Sequence, residues 1–515
     1  MNDSELLPGL ETDGPPVGLP TTAAPPPGRP RLKAIERGQL VWHPVDVERL
    51  IEEDHPARAI WTLSGALDLA GFYEPIQAVQ GTCGRKPWDP RLLISLWVYA
   101  YSRGISSARE VARRCEYEPA FQWLCGLEKI NHHTLSDFRV RRQEALQELF
   151  AQLLATLSAQ GLVSLERVMQ DGTKIRANAG RDSFRREKTL QAQLEAARQQ
   201  VEALWSEPNE ERSVEQAARQ RAARQRAERV QSALEQLEAM RALKPGRAEK
   251  EEARASTSDP EARVMKQAGG GYAPSYNAQI STEASHKIVV AVAVSQQGND
   301  YAELTPAVER IKKNLGTAPK QMVVDGGFTS RENIRQMAAQ GIDLIGSLPD
   351  AASSGKAALA RGAYRAEFTP AAFQYDPVEN IYQCPAGQTL RARRRRKAKG
   401  AIQHFYQEPG LACQACPHKE SCCPGRPKRT LVRTEENALT QAFRQKMQTQ
   451  PAQEIYQQRA EVAEFPNAWL KEKLGLRRFR VRGLKKVLSE LLWACLTYNI
   501  QQWIRLRWLP KLKIS

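Results

Sequence analysis

The sequence predicts a mixed α/β sheet protein with an all-α region before the sheet and two insertions within it. Three patterns carry that prediction. Apolar residues recur at helical spacing between about residues 39 and 160. From residue 276 onward, two strand-like runs form a hairpin and are followed by alternating helical and strand-like segments. A heptad-spaced stretch and a cysteine-rich stretch interrupt this order, and neither has the pattern of a sheet.

The chain has 515 residues, enough for several domains each with its own core. Lys and Arg exceed Asp and Glu by 17, an excess that points to a polyanionic partner, most commonly nucleic acid. The charge is clustered. RARRRRKAKG (391–400) holds seven basic residues and no acid, and from Lys471 to Ser515 twelve basic residues face two glutamates. The longest apolar runs, IVVAVAV from Ile288 and ISLWVYAY from Ile94, are far shorter than the ~20 residues of a membrane span. The opening MNDSELLPG lacks the apolar core of a secretory signal. The expectation is a cytoplasmic protein with no membrane partner.

Taken in order, residues 1–38 are proline-rich, with eight prolines in the first thirty positions, and are expected to be disordered. In residues 39–160, PRLLISLWVYAYSRG (90–104) reads as a helix that begins at Pro90 and stops at Gly104. SSAREVARRC (106–115) and PAFQWLCG (119–126) read as two short helices around a tight link, as in a helix-turn-helix. Residues 133–161 read as one long amphipathic helix capped by Thr134 or Ser136. A plain helical bundle satisfies the same periodicity. The basic face of Arg109, Arg113, Arg114, Arg139, Arg141 and Arg142 favours a DNA-binding region. In 182–257, Leu190, Leu194, Ala197, Val201 and Leu204, then Ala223, Ala227, Val230, Leu234 and Leu237, trace a heptad seam. Two helices folded on each other, or pairing with another subunit, would both satisfy it.

Strands are expected at 276–283, 286–295, 321–325 and 342–348, with helices at 301–314 and 330–339 between the later ones. Two acids share one grammar here. Val168-Met169-Gln170 runs into Asp171-Gly172, and Met322-Val323-Val324 runs into Asp325-Gly326-Gly327. Glycine lets the chain turn sharply and leaves the carboxylate at the sheet's edge. A third element, EIYQQRAEVAEFPNAWLKEK (454–473), sets Tyr456, Arg459, Glu464 and Lys471 near one helical face, allowing for a kink at Pro466.

QDGTKI at Asp171, SDPEARVMK (258–266), YNAQ (276–279), VVDGGF at Asp325 and the final Y-x2-R-x4-E-x6-K together resemble the D-D-E transposases of bacterial insertion sequences. The helical segment from PRLLISLWVYAYSRG to HHTLSDFR resembles their N-terminal domain, so the likeness runs from about 39 to 510. It implies an RNase H-like catalytic domain formed by 161–181, 258–372 and 436–515, with 182–257 and 373–435 as insertions. It also implies catalysis by Asp171, Asp325 and Glu464 on double-stranded DNA, namely the terminal inverted repeats and a target, with no small-molecule substrate. Two Mg²⁺ or Mn²⁺ ions ~3.5–4 Å apart would activate the nucleophile and stabilise the leaving oxygen of an in-line displacement. Mg²⁺ is a hard ion that takes oxygen ligands, which explains why carboxylates are needed. Asp171 would bridge both ions, with Asp325 and Glu464 holding one each. Arg459 and Lys471 would contact DNA phosphates, and Tyr456 would position a terminal phosphate or pack in the core. Self-association is implied as well. Glu461 competes with Glu464, which is preferred because six residues separate it from Lys471 as the family pattern requires. Many relatives carry an aromatic-glycine pair before that lysine, where this chain has Asn467-Ala468. A decayed, non-catalytic regulator and a nuclease without strand transfer are the competing readings.

Nine cysteines in an intracellular chain argue against disulfides. Cys83, Cys115, Cys125 and Cys495 are scattered and expected to be buried. Cys384, Cys413, Cys416 and Cys422 form a set suited to tetrahedral structural zinc, with His418 and Cys423 as substitutes. Free thiols in a loop are the alternative. The arginine run, including Arg393, Arg394, Arg395 and Arg396, lies inside the same loop and would be presented to DNA.

Overall fold

The computed structural model describes residues 44–77, 86–206, 214–243, 246, 251–348, 358–398 and 401–512. The proline-rich stretch 1–38 and Cys83 fall outside the described residues. The chain divides into residues 1–46 and 47–515, and every element below belongs to the second unit.

Helix α1 (Pro56–Ala66) opens on a proline, whose missing N–H is no loss in a first turn. After the short α2 (Ala70–Tyr73), α3 (Pro90–Ser102) uses the same device, and the Asp89 carboxylate accepts from Arg91 N at 2.8 Å. α4 (Ala108–Arg114) and α5 (Pro119–Cys125) are the two short helices expected, and α5 closes on Gly126 at φ 62°. The single helix expected over 133–161 is two, α6 (His132–Arg141) and α7 (Gln143–Ala159), separated by Arg142 at φ −116°, ψ 46°. Asn131 caps α6, while Thr134 and Ser136 lie inside it. Buried Leu135 and Arg139, then Leu146, Leu149, Phe150 and Leu153, keep one helical period across the break. The apolar pattern therefore hides it.

The main sheet has β1 (Arg167–Arg176) at its centre. The remaining strands are β2 (Arg263–Lys266), β3 (Tyr272–Glu283), β4 (Val289–Ser295), β5 (Gln321–Val324) and β6 (Asp343–Gly346). β3 runs antiparallel to β1 with Asp171 opposite Ile280, and carries β4 and β2 on its other edge. On the opposite side β5 and then β6 run parallel to β1. Parallel neighbours need a crossover, supplied by α10 (Leu304–Leu315) and α11 (Arg331–Ala339).

Helices α8 (Glu187–Ser206) and α9 (Val214–Ala242) are inserted after β1 and pack antiparallel to each other. Arg241 pairs with Glu187, Arg198 with Gln231, and Gln220 with the Leu204 carbonyl, which fixes the direction. Leu190 and Leu194 meet Val230 and Leu237, so the heptad seams face each other within one chain. A second, antiparallel sheet follows β6: β7 (Gln374–Asp376), β8 (Ile381–Gln383), β9 (Thr389–Ala398), β10 (Ala401–Gln407) and β11 (Leu431–Glu435). The arginine run is therefore strand β9, paired to β10, and not a loop.

The C-terminal part comprises α12 (Ala438–Gln448), α13 (Gln450–Arg459), a π-helical turn (Ala460–Glu464), α14 (Phe465–Glu472) and α15 (Leu484–Trp503). Pro466 accounts for the π turn. It has no N–H for the Val462 carbonyl and its ring crowds that oxygen, so the chain widens instead of breaking. α15 is buried on almost every face, as expected for a helix enclosed by protein. Trp493 Nε1 donates to the Arg139 carbonyl, and Asn499 bonds both backbone groups of Val289. One hydrophobic core consequently runs from Ala57 through the sheet to Ile504.

Candidate active site

The parallel pairing of β1 with β5 ends where Gln170 faces Val324. The next residue on each strand is an acid, Asp171 or Asp325. β1 does not run out at Asp171; it continues to Arg176 against β3, and only its β5 side opens. The two carboxylates thus share the crevice that opens where the parallel pairing of these strands ends. Asp325 turns its Oδ1 back onto Gly327 N (2.8 Å) and Phe328 N (3.3 Å).

Glu464, at the end of the π turn, is the most open of the three, with 63% of its side chain exposed against 17% for Asp171. The Arg459 guanidinium lies between them, 3.9 Å from Asp171 Oδ1 and 3.8 Å from Glu464 Oε1. Both distances are ion-pair separations too long for hydrogen bonds. Glu461 is engaged elsewhere: its Oε1 accepts from Lys287 Nζ at 2.7 Å, on the turn between β3 and β4. Lys471 Nζ donates to Thr173 Oγ1, two residues beyond Asp171. Tyr456 is half-buried against Met169, Val323 and Val462, with its ring 6.0 Å from the Arg459 guanidinium.

Two residues that sequence reasoning missed belong to this centre. Asn467 Nδ2 donates to Asp171 Oδ2 at 2.7 Å. Asp300, buried in the loop before α10, accepts from Asn277 Nδ2 and Gln279 Nε2, both at 2.6 Å, and lies 3.9 Å from Lys174 Nζ. A polar chain feeds it: Ser281 Oγ donates to Gln170 Oε1, and Gln170 Nε2 to Gln279 Oε1 at 2.8 Å. These hydrogen bonds lead one to the next and end on Asp300. Its presence explains the glycine after Asp171. A Cβ on Gly172 would stand 2.5 Å from Asp300 Oδ1. A Cβ on Gly327 would meet Asp325 Oδ1 at 3.0 Å and Asp300 Oδ2 at 3.5 Å.

Burial pushes the Asp171 carboxyl up to about 6; Arg459 pulls it down, while Asp325 and Asp300 add to the rise. Burial also lowers Lys471. The donor set around the crevice is oxygen-rich and fits a hard divalent ion. Among the described residues, no three His, Cys, Asp or Glu side chains stand close enough to hold a metal ion. The acids share a crevice without closing into a ligand shell.

Residues 45–141 match the family described as transposase domain (DUF772), and residues 383–504 match the family described as transposase DDE domain. Both matches name transposases, and together they support a DDE transposase of an insertion sequence. No curated protein matches it. The second match contains Tyr456, Arg459, Glu464 and Lys471, whereas Asp171 and Asp325 lie between the two matched segments.

In this transposase the cysteine-rich lobe gathers Cys384, Cys413, Cys416, Cys422, Cys423 and His418 around a cavity of about 30 Å³. That is room for one water or one ion. Cys384 Sγ accepts from Gln388 N at 3.2 Å. Burial pushes Cys422 up to about 11 and raises Cys423 too, with the neighbouring thiols adding to both. None of the described cysteines is paired in a disulfide, and Cys115, Cys125 and Cys495 are buried as expected.

The basic face of the transposase's helical region is partly neutralised. Arg109 is exposed, but Arg113 pairs with Glu110, Arg114 with Glu110 and Glu118, and Arg141 with Asp137. Arg139 departs from the expectation altogether. It is 5% exposed, stacked 4.8 Å from the Trp97 ring and 3.8 Å from the buried Glu490 carboxylate, and it donates to the Ser106 carbonyl. It ties α6 to α15 and presents no charge to DNA. Arg393, Arg394, Arg395 and Arg396 are exposed along β9. Exposed Arg477 and Arg478 flank the end of β1, where Arg176 N donates to the Arg477 carbonyl.

Among the described residues, no helix is long and apolar enough to cross a membrane.

Proposed function

We propose that this transposase binds the terminal inverted repeats of its own element, cleaves phosphodiester bonds there and joins the ends to target DNA. The observation that carries the reading is the placement of Asp171 and Asp325, each one residue past the last parallel pair of β1 and β5, with Arg459 linking Asp171 to Glu464. A central strand with antiparallel neighbours on one side and parallel ones on the other supports the RNase H-like assignment. Asp171, Asp325 and Glu464 would hold two divalent ions, which when bound activate the attacking oxygen and stabilise the leaving one. Asp171 is the acid suited to hold both, because it feels the Asp325 charge on one side and shares Arg459 with Glu464 on the other. Lys471, steered by Thr173, and Arg459 would meet the phosphates on either side of the scissile bond. Exposed basic residues on β9 and beside the end of β1 would track the DNA backbone without reading bases.

We further propose a structural zinc site in the cysteine-rich lobe, with Cys384, Cys413, Cys416 and Cys422 as ligands and His418 and Cys423 adjacent. Four protein ligands leave no open position, so its role is to hold the lobe and its arginine strand in place.

The test is a cleavage and joining assay on the inverted repeats that flank the gene, with Mg²⁺, comparing wild type with Asp171→Ala, Asp325→Ala and Glu464→Ala. Cutting and joined products from wild type alone are expected. DNA binding without nicking would indicate a regulator, and nicking without joined product a nuclease.

A further inference from the structure

Helix α14 and the π turn before it place Glu464, Asn467 and Lys471 at intervals of three and four residues, one stripe of a helix surface. All three address the same strand. Glu464 meets Arg459 beside Asp171, Asn467 reaches Asp171 itself, and Lys471 reaches Thr173.

We infer that Asn467 is a positioning residue of the acid centre: its Nδ2 fixes Asp171, and its Oδ1 supplies a neutral oxygen to the divalent ion held there. This rests on the proposed metal-dependent reading of that centre. The amide orientation follows from chemistry, since an ionised carboxylate only accepts and the atom facing Asp171 Oδ2 must be the nitrogen. Oδ1 is consequently the free end of the amide. It is buried and without a hydrogen-bond partner, in a side chain only 7% exposed. Buried amide oxygens in that condition are uncommon and costly, and a ligand is one way to satisfy them. Asp171 Oδ2 is tied down by Asn467, which leaves Oδ1 facing Arg459 and the crevice. An acid meant to bridge two ions benefits from such fixing, as ligating carboxylates generally do.

Mn²⁺ binding to the full-length protein without DNA, followed by electron paramagnetic resonance, separates this from a packing role. The Asn467→Leu variant keeps the volume and removes both polar atoms. It is expected to bind Mn²⁺ roughly tenfold more weakly than wild type, with its melting temperature within a few degrees. The Mg²⁺ concentration for half-maximal cleavage should rise by a similar factor. Should Asn467→Leu fail to fold, Asn467→Ala carries the same expectation. Unchanged Mn²⁺ affinity in the folded variant, with binding abolished in Asp171→Ala, would overturn the role of Asn467 and leave the acid centre standing. If Asp171→Ala also binds Mn²⁺ like wild type, the reading of the centre fails and this inference with it.

Discussion

The acid centre and the cysteine-rich lobe are built in opposite ways. The acids come from positions 154 and 139 residues apart, and the sheet and its continuous core bring them together. The proposed zinc ligands span 38 residues from Cys384 to Cys422, around a small cluster of Phe373, Leu390, Tyr406 and Leu431. A lobe with so little buried apolar surface needs a staple, whereas a sheet packed on both sides does not. The contrast predicts that polar groups can be removed from the acid centre at the expense of chemistry alone, whereas removing the lobe's thiols should loosen its fold.

The largest effect should come from the acids. Asp171→Ala or Asp325→Ala removes several kcal/mol of transition-state stabilisation, a loss of about 10³-fold in cleavage rate. The melting temperature should fall by only a few degrees, because relief of the repulsion between the acids offsets the acceptor lost to Asn467 or to the Gly327 and Phe328 N–H groups. A large drop in melting temperature would break the contrast by making the acids structural. Next, Cys413→Ser combined with Cys416→Ser should reduce bound zinc from about one equivalent to under half. Hydrogen exchange should then quicken in β9 and β10 and stay slow in β1 and β3. Wild-type protein purified with less than half an equivalent of zinc would remove that side of the comparison.

A smaller effect concerns pH. Burial raises the Asp171 pKa, so its proton is held until about pH 6 in the ion-free protein. An ion must displace that proton, and affinity should weaken about tenfold per unit as pH falls below 6 and level off above it. Mn²⁺ titrations at pH 5 and pH 7.5 check the sign. A flat profile would mean that Asp171 is already ionised throughout. The smallest effect is assigned to Glu461→Ala. It breaks an exposed, solvent-screened pair with Lys287, and cleavage should change less than about twofold. A loss comparable to that of Glu464→Ala would exchange the roles of the two glutamates.

Much of this architecture was legible because its signals are local. Strand-like runs ending in Asp-Gly, together with the family resemblance, marked Asp171 and Asp325, and the spacing to Lys471 favoured Glu464. The strands of the hairpin and both crossover helices fell within a few residues of their expected places. What sequence hid was contact across distance. Asn277, Gln279 and Ser281 alternate along β3 like a solvated face, yet they are buried and, with Gln170, form the polar chain around Asp300. Arg139 sits at a spacing shared with exposed arginines but is enclosed by Trp97 and Glu490. The turn at Arg142 carries neither Gly nor Pro and leaves the apolar period intact. The arginine run reads as a charged loop because strand pairing to β10 is not written in its own composition.

Anomalous diffraction from crystals of the wild-type protein with Mn²⁺ and cleaved-end DNA tests the metal centre most directly. The account predicts two peaks ~3.5–4 Å apart, both within ligand distance of Asp171, one also touching Asp325 and the other Glu464. No peak in that crevice, or a Glu464 carboxylate still turned away from an occupied one, would contradict it.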